Sequence, residues 1–386
     1  MTYFPKKLMV KLTERQANNA LRKLPVPNGL IDFSSNDYLG FANNSAIFEN
    51  SSNILERKGI IANGATGSRL LTGNNELYGE LEALLADFYG SERALVFNSG
   101  YDANIGFFSA VPQRTDVVFY DELCHASIRD GIGLGRAQSY KFKHNSAEDL
   151  GQLIDRVRES KTDSDIYSDI YVVTESVFSM DGDSPDLEAL VATCEAKGAY
   201  FVIDEAHAVG VFGEKGEGLM KELQLQDKVF ARVVTFGKAM GCHGAAILGS
   251  DDLKNYLVNF ARSFIYTTGM PPHSLATTLA AYEYLMFTNG EQRRLRANIE
   301  FFVDQLNVLG LQSYFIPSNS AVHCCLVEGN DKVKEWSQYL QENGFDVKPI
   351  MSPTVPQGKE RLRFCLHSFN TEKEISALLF QLSNLF

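Results

Sequence analysis

The chain has 386 residues, well beyond the roughly 150 of an average single domain, so a large core with a smaller second domain is expected. Hydrophobic residues make up 45% and charged residues 22%, with 26 Phe and 16 Tyr, a composition that buries a sizeable core and excludes a disordered chain. Lys and Arg total 36 against 48 Asp and Glu, a formal net charge of −12; with no long basic run, nucleic acid is not an expected partner, because its binding rests largely on phosphate neutralisation.

Along the chain, the first clear signal is Leu77, Leu81, Leu84, Leu85 and Phe88 at helical spacing, closed by Gly90, which predicts a helix over 76–88 with a glycine cap. Short β-branched and aromatic runs follow at 94–97, 117–120, 170–174, 200–203, 233–236 and 245–248, each the pattern of a buried strand. Helical patterns at 186–197 and 251–266 separate several of them, the alternation of a mostly parallel sheet. A long helical stretch from 273 to 309 leads into strand 322–327, helix 332–343, strands 347–351 and 362–366, and helix 372–385, a smaller α+β domain. The expected division is an N-terminal segment 1–48, a large domain 49–285 and a small domain 286–386. No internal repeat and no apolar run near the ~20 residues of a membrane span is present. Six cysteines without CxxC spacing and no recognisable signal peptide point to reduced thiols in a soluble, cytoplasmic protein with no metal site.

Open α/β sheets bind ligands beyond the carboxyl ends of their strands, and here those ends are polar. The run at 200–203 ends in Asp204-Glu205-Ala206-His207, that at 233–234 in Thr235-Phe236-Gly237-Lys238, and that at 94–97 in Asn98-Ser99-Gly100-Tyr101. Chemistry based on pyridoxal phosphate needs an amine for the aldehyde, an anion for the ring nitrogen, a phosphate clamp and groups that hold the ring. Lys238 could supply the amine and Asp204 the anion. Ser99, Gly100 and Tyr101 precede a helix predicted from about Asp102, where backbone N–H groups favour a phosphate, and Thr235 could add a hydroxyl. His125 offers a flat ring for stacking, and His207 a donor for the 3′-oxygen. Taken singly, each residue reads as well as a turn cap, a solvated end or a hydrogen-bonded core group; their coincidence is what carries weight. A rival reading takes Asp204 to His207 as the DEAH of nucleotide-driven helicases, but no GxxxxGK[ST] loop occurs: Ala239 follows Gly237-Lys238 and Glu360 follows Gly358-Lys359.

These residues resemble the α-oxoamine synthases, a family of fold-type I pyridoxal-phosphate transferases. The match also includes Ser34-Ser35-Asn36-Asp37-Tyr38-Leu39-Gly40, Gly64-Ala65-Thr66-Gly67-Ser68-Arg69 and Glu175-Ser176-Val177-Phe178-Ser179-Met180-Asp181-Gly182-Asp183. The resemblance implies that Lys238 carries the cofactor as a Schiff base, that Asp204 pairs with its ring nitrogen and that His125 stacks on the ring. Gly100, Tyr101, Ser179, His207 and Thr235 would contact it, and Thr267 and Thr268 would reach the phosphate of the neighbouring subunit in a homodimer with shared sites. Arg363 would receive an amino-acid carboxylate, with Asn36, His125 and Thr354 beside the substrate. Two segments, Ala20-Leu21-Arg22-Lys23 and Ser352-Pro353-Thr354-Val355-Pro356-Gln357-Gly358, are similar to the branch that joins L-alanine to a pimeloyl thioester (pimeloyl-CoA or pimeloyl-acyl carrier protein) in the biotin pathway; Arg22 would meet the acyl group. The stretch between Pro27 and Asp32 is shorter than usual for the family. Other amino acid and acyl-CoA pairs, an aminotransferase, and a non-catalytic binding protein are the alternatives.

Overall fold

The computed structural model describes residues 4–22, 24, 26, 29–160 and 168–386; Lys23 and Pro27, quoted above, lie outside the described residues. Two compact units result. The larger comprises Asn36–Ser179 and Ser184–Leu295, and the smaller is formed from Met1–Ser35, Met180–Asp183 and Arg296–Phe386.

Among the described residues the larger unit is built on a seven-stranded sheet in the order Arg93–Phe97, Ala245–Gly249, Ala231–Thr235, Tyr200–Asp204, Ile170–Glu175, Val117–Asp121 and Gln138–Phe142. All neighbours run parallel except Ala245–Gly249, which is antiparallel to both strands beside it. The central strands are rich in Val and Ile, and every residue of Ile170–Glu175 is buried, because helices cover both faces of the sheet. One face packs Phe107, Phe108, Ile128, Leu253 and Leu257 against Leu95, Val118, Val173 and Val233. The other packs Leu150, Ile154, Leu190 and Val191 against Val117, Phe119, Val172 and Ile203. Four parallel strands therefore deliver Asp121, Glu175, Asp204 and Thr235 to one edge of the sheet.

The fold is the expected α/β class, a large mostly parallel sheet with a smaller α+β unit, and the differences are local. Strand Gln138–Phe142 has an exposed, polar pattern that hydrophobic periodicity does not detect, as befits a strand at the sheet's edge. The pattern over 251–266 is broken into Asp251–Phe260 and Arg262–Ile265 at Ala261, which is extended and fully buried. There the short helix meets helix Gly100–Ala110: Ser263 Oγ donates to the Asp102 carbonyl at 2.5 Å, and a tertiary contact overrides local helical continuity. The stretch 273–309 likewise divides into Pro272–Phe287 and Gly290–Val308.

In the smaller unit, strands Lys348–Ile350, Arg361–Cys365 and Val322–Leu326 form an antiparallel sheet, and Ile31–Asp32 pairs in parallel with Phe345–Asp346. Gly182 shows why Met180–Asp183 belongs to this unit: its φ is +79°, and a Cβ there would stand 2.0 Å from the Val322 carbonyl oxygen, so only glycine fits. Arg361 adds an ion pair to Asp181 and a hydrogen bond to the Met180 carbonyl at 2.9 Å. Among the described residues no helix is long and apolar enough to cross a membrane. All six cysteines are free thiols.

Candidate active site

A cleft of about 270 Å³ opens in the larger unit at the carboxyl edge of the sheet, and Lys238, Asp204, His125, Thr235, Gly100 and Tyr101 all line it, together with Asn36. The sequence brings these together because each follows a parallel strand or begins the helix after one. Lys238 sits in the turn after strand Ala231–Thr235, His125 caps the helix after Val117–Asp121, and Gly100 opens helix Gly100–Ala110.

Asp204 is 6% exposed and accepts two hydrogen bonds, from Asn104 Nδ2 at 2.9 Å and from the Ala206 backbone N–H at 2.9 Å. Donors of this kind stabilise the ionised carboxylate. Its neighbour in register is Glu175, whose Oε1 accepts from the His125 backbone N–H at 2.6 Å. Burial, followed by repulsion from Asp204, pushes the Glu175 carboxyl up to about 8, with Lys238 opposing the rise. Loss of hydration lowers the His125 pKa; Lys238 and Arg129 act in the same direction and Asp204 against it.

The helix start is prepared for an anion. Ser99 Oγ accepts from the Asp102 N–H at 3.0 Å and the Ser99 carbonyl from the Ala103 N–H at 3.0 Å. The N–H groups of Gly100 and Tyr101 have no acceptor among the described residues, as first-turn donors require an external partner. A Cβ on Gly100 would stand 2.7 Å from Thr235 Cγ2, so glycine keeps this floor open. Thr235 Oγ1 is buried with no hydrogen-bond partner among the described residues. The Tyr101 side chain turns to Asp130, to which its hydroxyl donates at 2.7 Å, so its contribution to the cleft is through the backbone.

Seven of the predicted residues do not line the cleft wall. His207 is buried, and its Nδ1 lies 2.7 Å from the Tyr38 hydroxyl. Ser179 lies four residues beyond the end of strand Ile170–Glu175. Thr267 Oγ1 and the Thr268 carbonyl both accept from Asn98 Nδ2, at 3.0 and 2.8 Å. Arg22, Thr354 and Arg363 belong to the smaller unit. There Arg22 Nη2 donates to Thr354 Oγ1 at 3.2 Å across 332 positions of sequence, and Arg363, 7% exposed, directs Nη1 to Cys365 Sγ at 2.9 Å. Glu205, the second residue of the DEAH string, is consumed by Arg232, whose Nε donates to its Oε2 at 2.8 Å.

Among the polar cleft residues, sequence reasoning missed Glu175, Asn104, Ser127 and His243. A carboxylate ending a wholly buried strand was a usable signal for Glu175. Asn104, a polar residue on an apolar helix, and Ser127, two residues after His125, gave weaker ones.

The family described as aminotransferase class I and II matches residues 28–381. The chain is 39% identical to the 8-amino-7-oxononanoate synthase of Emericella nidulans over 385 residues, which cover 95% of this chain and 92% of that protein. Among solved structures, serine palmitoyltransferase from S. paucimobilis with a bound PLP-myriocin aldimine superposes with a TM-score of 0.87 at 27% identity, covering 98% of this chain and 96% of the other. The 8-amino-7-oxononanoate synthase of Francisella tularensis gives a TM-score of 0.76 at 29% identity, with 93% and 98% covered. The chain therefore belongs to the aminotransferase class I and II family and, within it, to the α-oxoamine synthases, acyltransferases that include the similar 8-amino-7-oxononanoate synthases.

Proposed function

We propose that the protein binds pyridoxal phosphate in the cleft of the larger unit and condenses L-alanine with a pimeloyl thioester, giving 8-amino-7-oxononanoate, carbon dioxide and the free thiol. The observation that carries this reading is the gathering of an amine, a carboxylate and a flat imidazole, Lys238, Asp204 and His125, around one cleft. The residues present fit the cofactor. The unpartnered Thr235 hydroxyl and the two unsatisfied N–H groups of Gly100 and Tyr101 suit a phosphate, and the buried Asp204 carboxylate suits a protonated ring nitrogen.

When bound, pyridoxal phosphate supplies an aldehyde for the lysine amine and an electron-withdrawing ring that stabilises negative charge on the amino-acid α-carbon. Lys238 would have two tasks: its amine would hold the cofactor at rest, and when free it would take the α-proton as a general base. Asp204, which accepts from Asn104 and the Ala206 N–H, would hold a proton on the ring nitrogen. His125, which lines the cleft, would offer its flat ring to the cofactor. The alanine α-carbon would bond to the acyl carbonyl carbon as the carbon–sulfur bond breaks, the alanine carboxyl would leave as carbon dioxide, and Lys238 would return its proton to the α-carbon. Arg363 grips the amino-acid carboxylate, for which a guanidinium offers two parallel donors. Arg22 and Thr354, joined to each other, serve the acyl donor, and Asn36 serves the substrate. Thr267 and Thr268 contact the phosphate held by the partner in a homodimer, and Ser179 and His207 support the cofactor.

A second reading, serine with a long acyl-CoA, has the higher structural likeness in its favour, a TM-score of 0.87 against 0.76. The 39% identity to the Emericella protein, against 27% to the palmitoyltransferase, favours alanine and pimeloyl thioester. Incubation with either amino acid and either thioester, followed by mass spectrometry, separates them. The amino-ketone from L-alanine and pimeloyl-CoA or its carrier-protein thioester is expected; product only from serine and palmitoyl-CoA contradicts the first reading.

A further inference from the structure

We infer that Asn104 and Ser127 form a one-way relay from Asp204 to His125 that holds the imidazole neutral, with its proton on Nε2; both are positioning residues for the reaction proposed above, and the inference rests on that reading for its use. Asn104 Nδ2 donates to Asp204 Oδ2 at 2.9 Å and to Ser127 Oγ at 3.0 Å. Ser127 Oγ lies 2.8 Å from His125 Nδ1. All four side chains belong to the larger unit, and Asn104 and Ser127 are 2% and 1% exposed.

The direction of each bond follows from what each group can do. A carboxylate can only accept, so Asp204 fixes which end of the Asn104 amide faces it, and that end is the NH2. Both amide hydrogens are then used, one on Asp204 and one on Ser127. Because Ser127 Oγ accepts from Asn104, its own hydrogen is left to donate, and His125 Nδ1 is the acceptor within reach. The helix start agrees independently: His125 caps helix Ala126–Leu134, with Nδ1 accepting the Ser127 backbone N–H at 3.3 Å. A proton on Nδ1 would face two donors. The proton of the neutral ring therefore sits on Nε2, which has no protein partner among the described residues.

The charged groups around the ring are Asp204, Lys238, Arg129, Asp130 and Glu175. Asp204 and Asp130 favour an imidazolium, whereas Lys238 and Arg129 oppose it, and lost hydration pulls the pKa down. The relay adds a structural reason for neutrality. Its consequence is that the same Asn104 that donates to Asp204, the carboxylate that would face the cofactor ring, also prevents a cation from forming on the imidazole of His125.

The test uses the full chain without cofactor, labelled with 15N-histidine, and reads the tautomer and pKa of His125 from proton–nitrogen correlation spectra; the resonance lost in His125→Asn identifies it. The expected result is an Nε2–H tautomer in the unmodified protein and in Ser127→Thr. Asn104→Ala, which frees the Ser127 hydroxyl to accept, is expected to admit the Nδ1–H tautomer and raise the His125 pKa by about one unit. Ser127→Ala is expected to raise it less, since the backbone N–H remains. With cofactor and substrates, the acid limb of the rate profile should move upward in Asn104→Ala. An Nδ1–H tautomer in the unmodified protein overturns the relay, as does an unchanged tautomer and pKa in a folded Asn104→Ala. If that variant does not fold, the unmodified protein and the two Ser127 variants still decide the matter. A protein that ignores pyridoxal phosphate yet shows the Nε2–H tautomer would remove the proposed function and leave the relay standing; cofactor binding with the opposite tautomer would do the reverse.

Discussion

Two adjacent strands, Ile170–Glu175 and Tyr200–Asp204, end side by side in buried carboxyl groups, Glu175 and Asp204, yet their surroundings treat them differently. Asp204 takes a side-chain amide and a backbone N–H, one on each oxygen, whereas Glu175 accepts the His125 backbone N–H on Oε1 and is driven up to about 8 by burial and by its neighbour's charge. Two like charges on neighbouring strand ends are disfavoured. The supply of donors is unequal: Asp204 receives one on each oxygen and lines the cleft, and Glu175 receives the His125 N–H on one.

The sharpest way to break this comparison is to exchange the carboxylates for amides in turn. Asp204→Asn should lower kcat by about 10²- to 10⁴-fold, since losing one partner of a buried ion pair costs about 3–5 kcal/mol; a loss under tenfold would show that Asp204 holds no proton in the reaction. The same substitution should let Glu175 fall back toward the ordinary carboxylate range, because its second cause of elevation is the Asp204 charge. An infrared titration of the carboxyl band would follow it.

Glu175→Gln tests the other member, and here the effect is on stability. Burial and the Asp204 charge raise the Glu175 carboxyl in the folded protein to about 8, above the ordinary 4.5, so the folded state binds the proton more tightly. That contribution is fully present below about 4.5 and is lost as pH rises to about 8. The glutamine variant should lose more than about 1 kcal/mol less stability than the parent between pH 5 and pH 8, read by urea denaturation at the two pH values. Identical pH dependence in both proteins would place the titrating group elsewhere.

The smallest effect separates the floor of the cleft from these carboxylates. Thr235→Val removes a hydroxyl that is buried without a partner, so it should leave stability unchanged or slightly raised while weakening pyridoxal phosphate binding about tenfold. Fluorescence titration with the cofactor reads the second effect; unaltered affinity would remove Thr235 from the phosphate site.

How much of this was legible in the sequence follows from the kind of signal each residue gives. Lys238, Asp204, His125 and Thr235 stand where β-branched runs give way to polar residues, and parallel sheets gather such ends at one edge whatever the details of packing. Asn104 and Ser127 act through hydrogen bonds to partners 100 and 23 positions away, and a lone Asn on an apolar helix does not announce its partner. The edge strand Gln138–Phe142 lacks hydrophobic alternation, and the break at Ala261 is imposed by contact with another helix. Arg22 and Thr354 meet across 332 residues, a pairing that family resemblance suggested as a shared role and that local pattern had no means to reveal.

The most direct measurement is to incubate the protein with pyridoxal phosphate, trap any covalent adduct with borohydride, digest the chain and locate the cofactor mass by peptide sequencing. The modification is predicted on the peptide containing Lys238 and nowhere else, and Lys238→Ala should abolish it. A trapped cofactor on a different lysine, or no adduct at saturating cofactor, would contradict the account at its root.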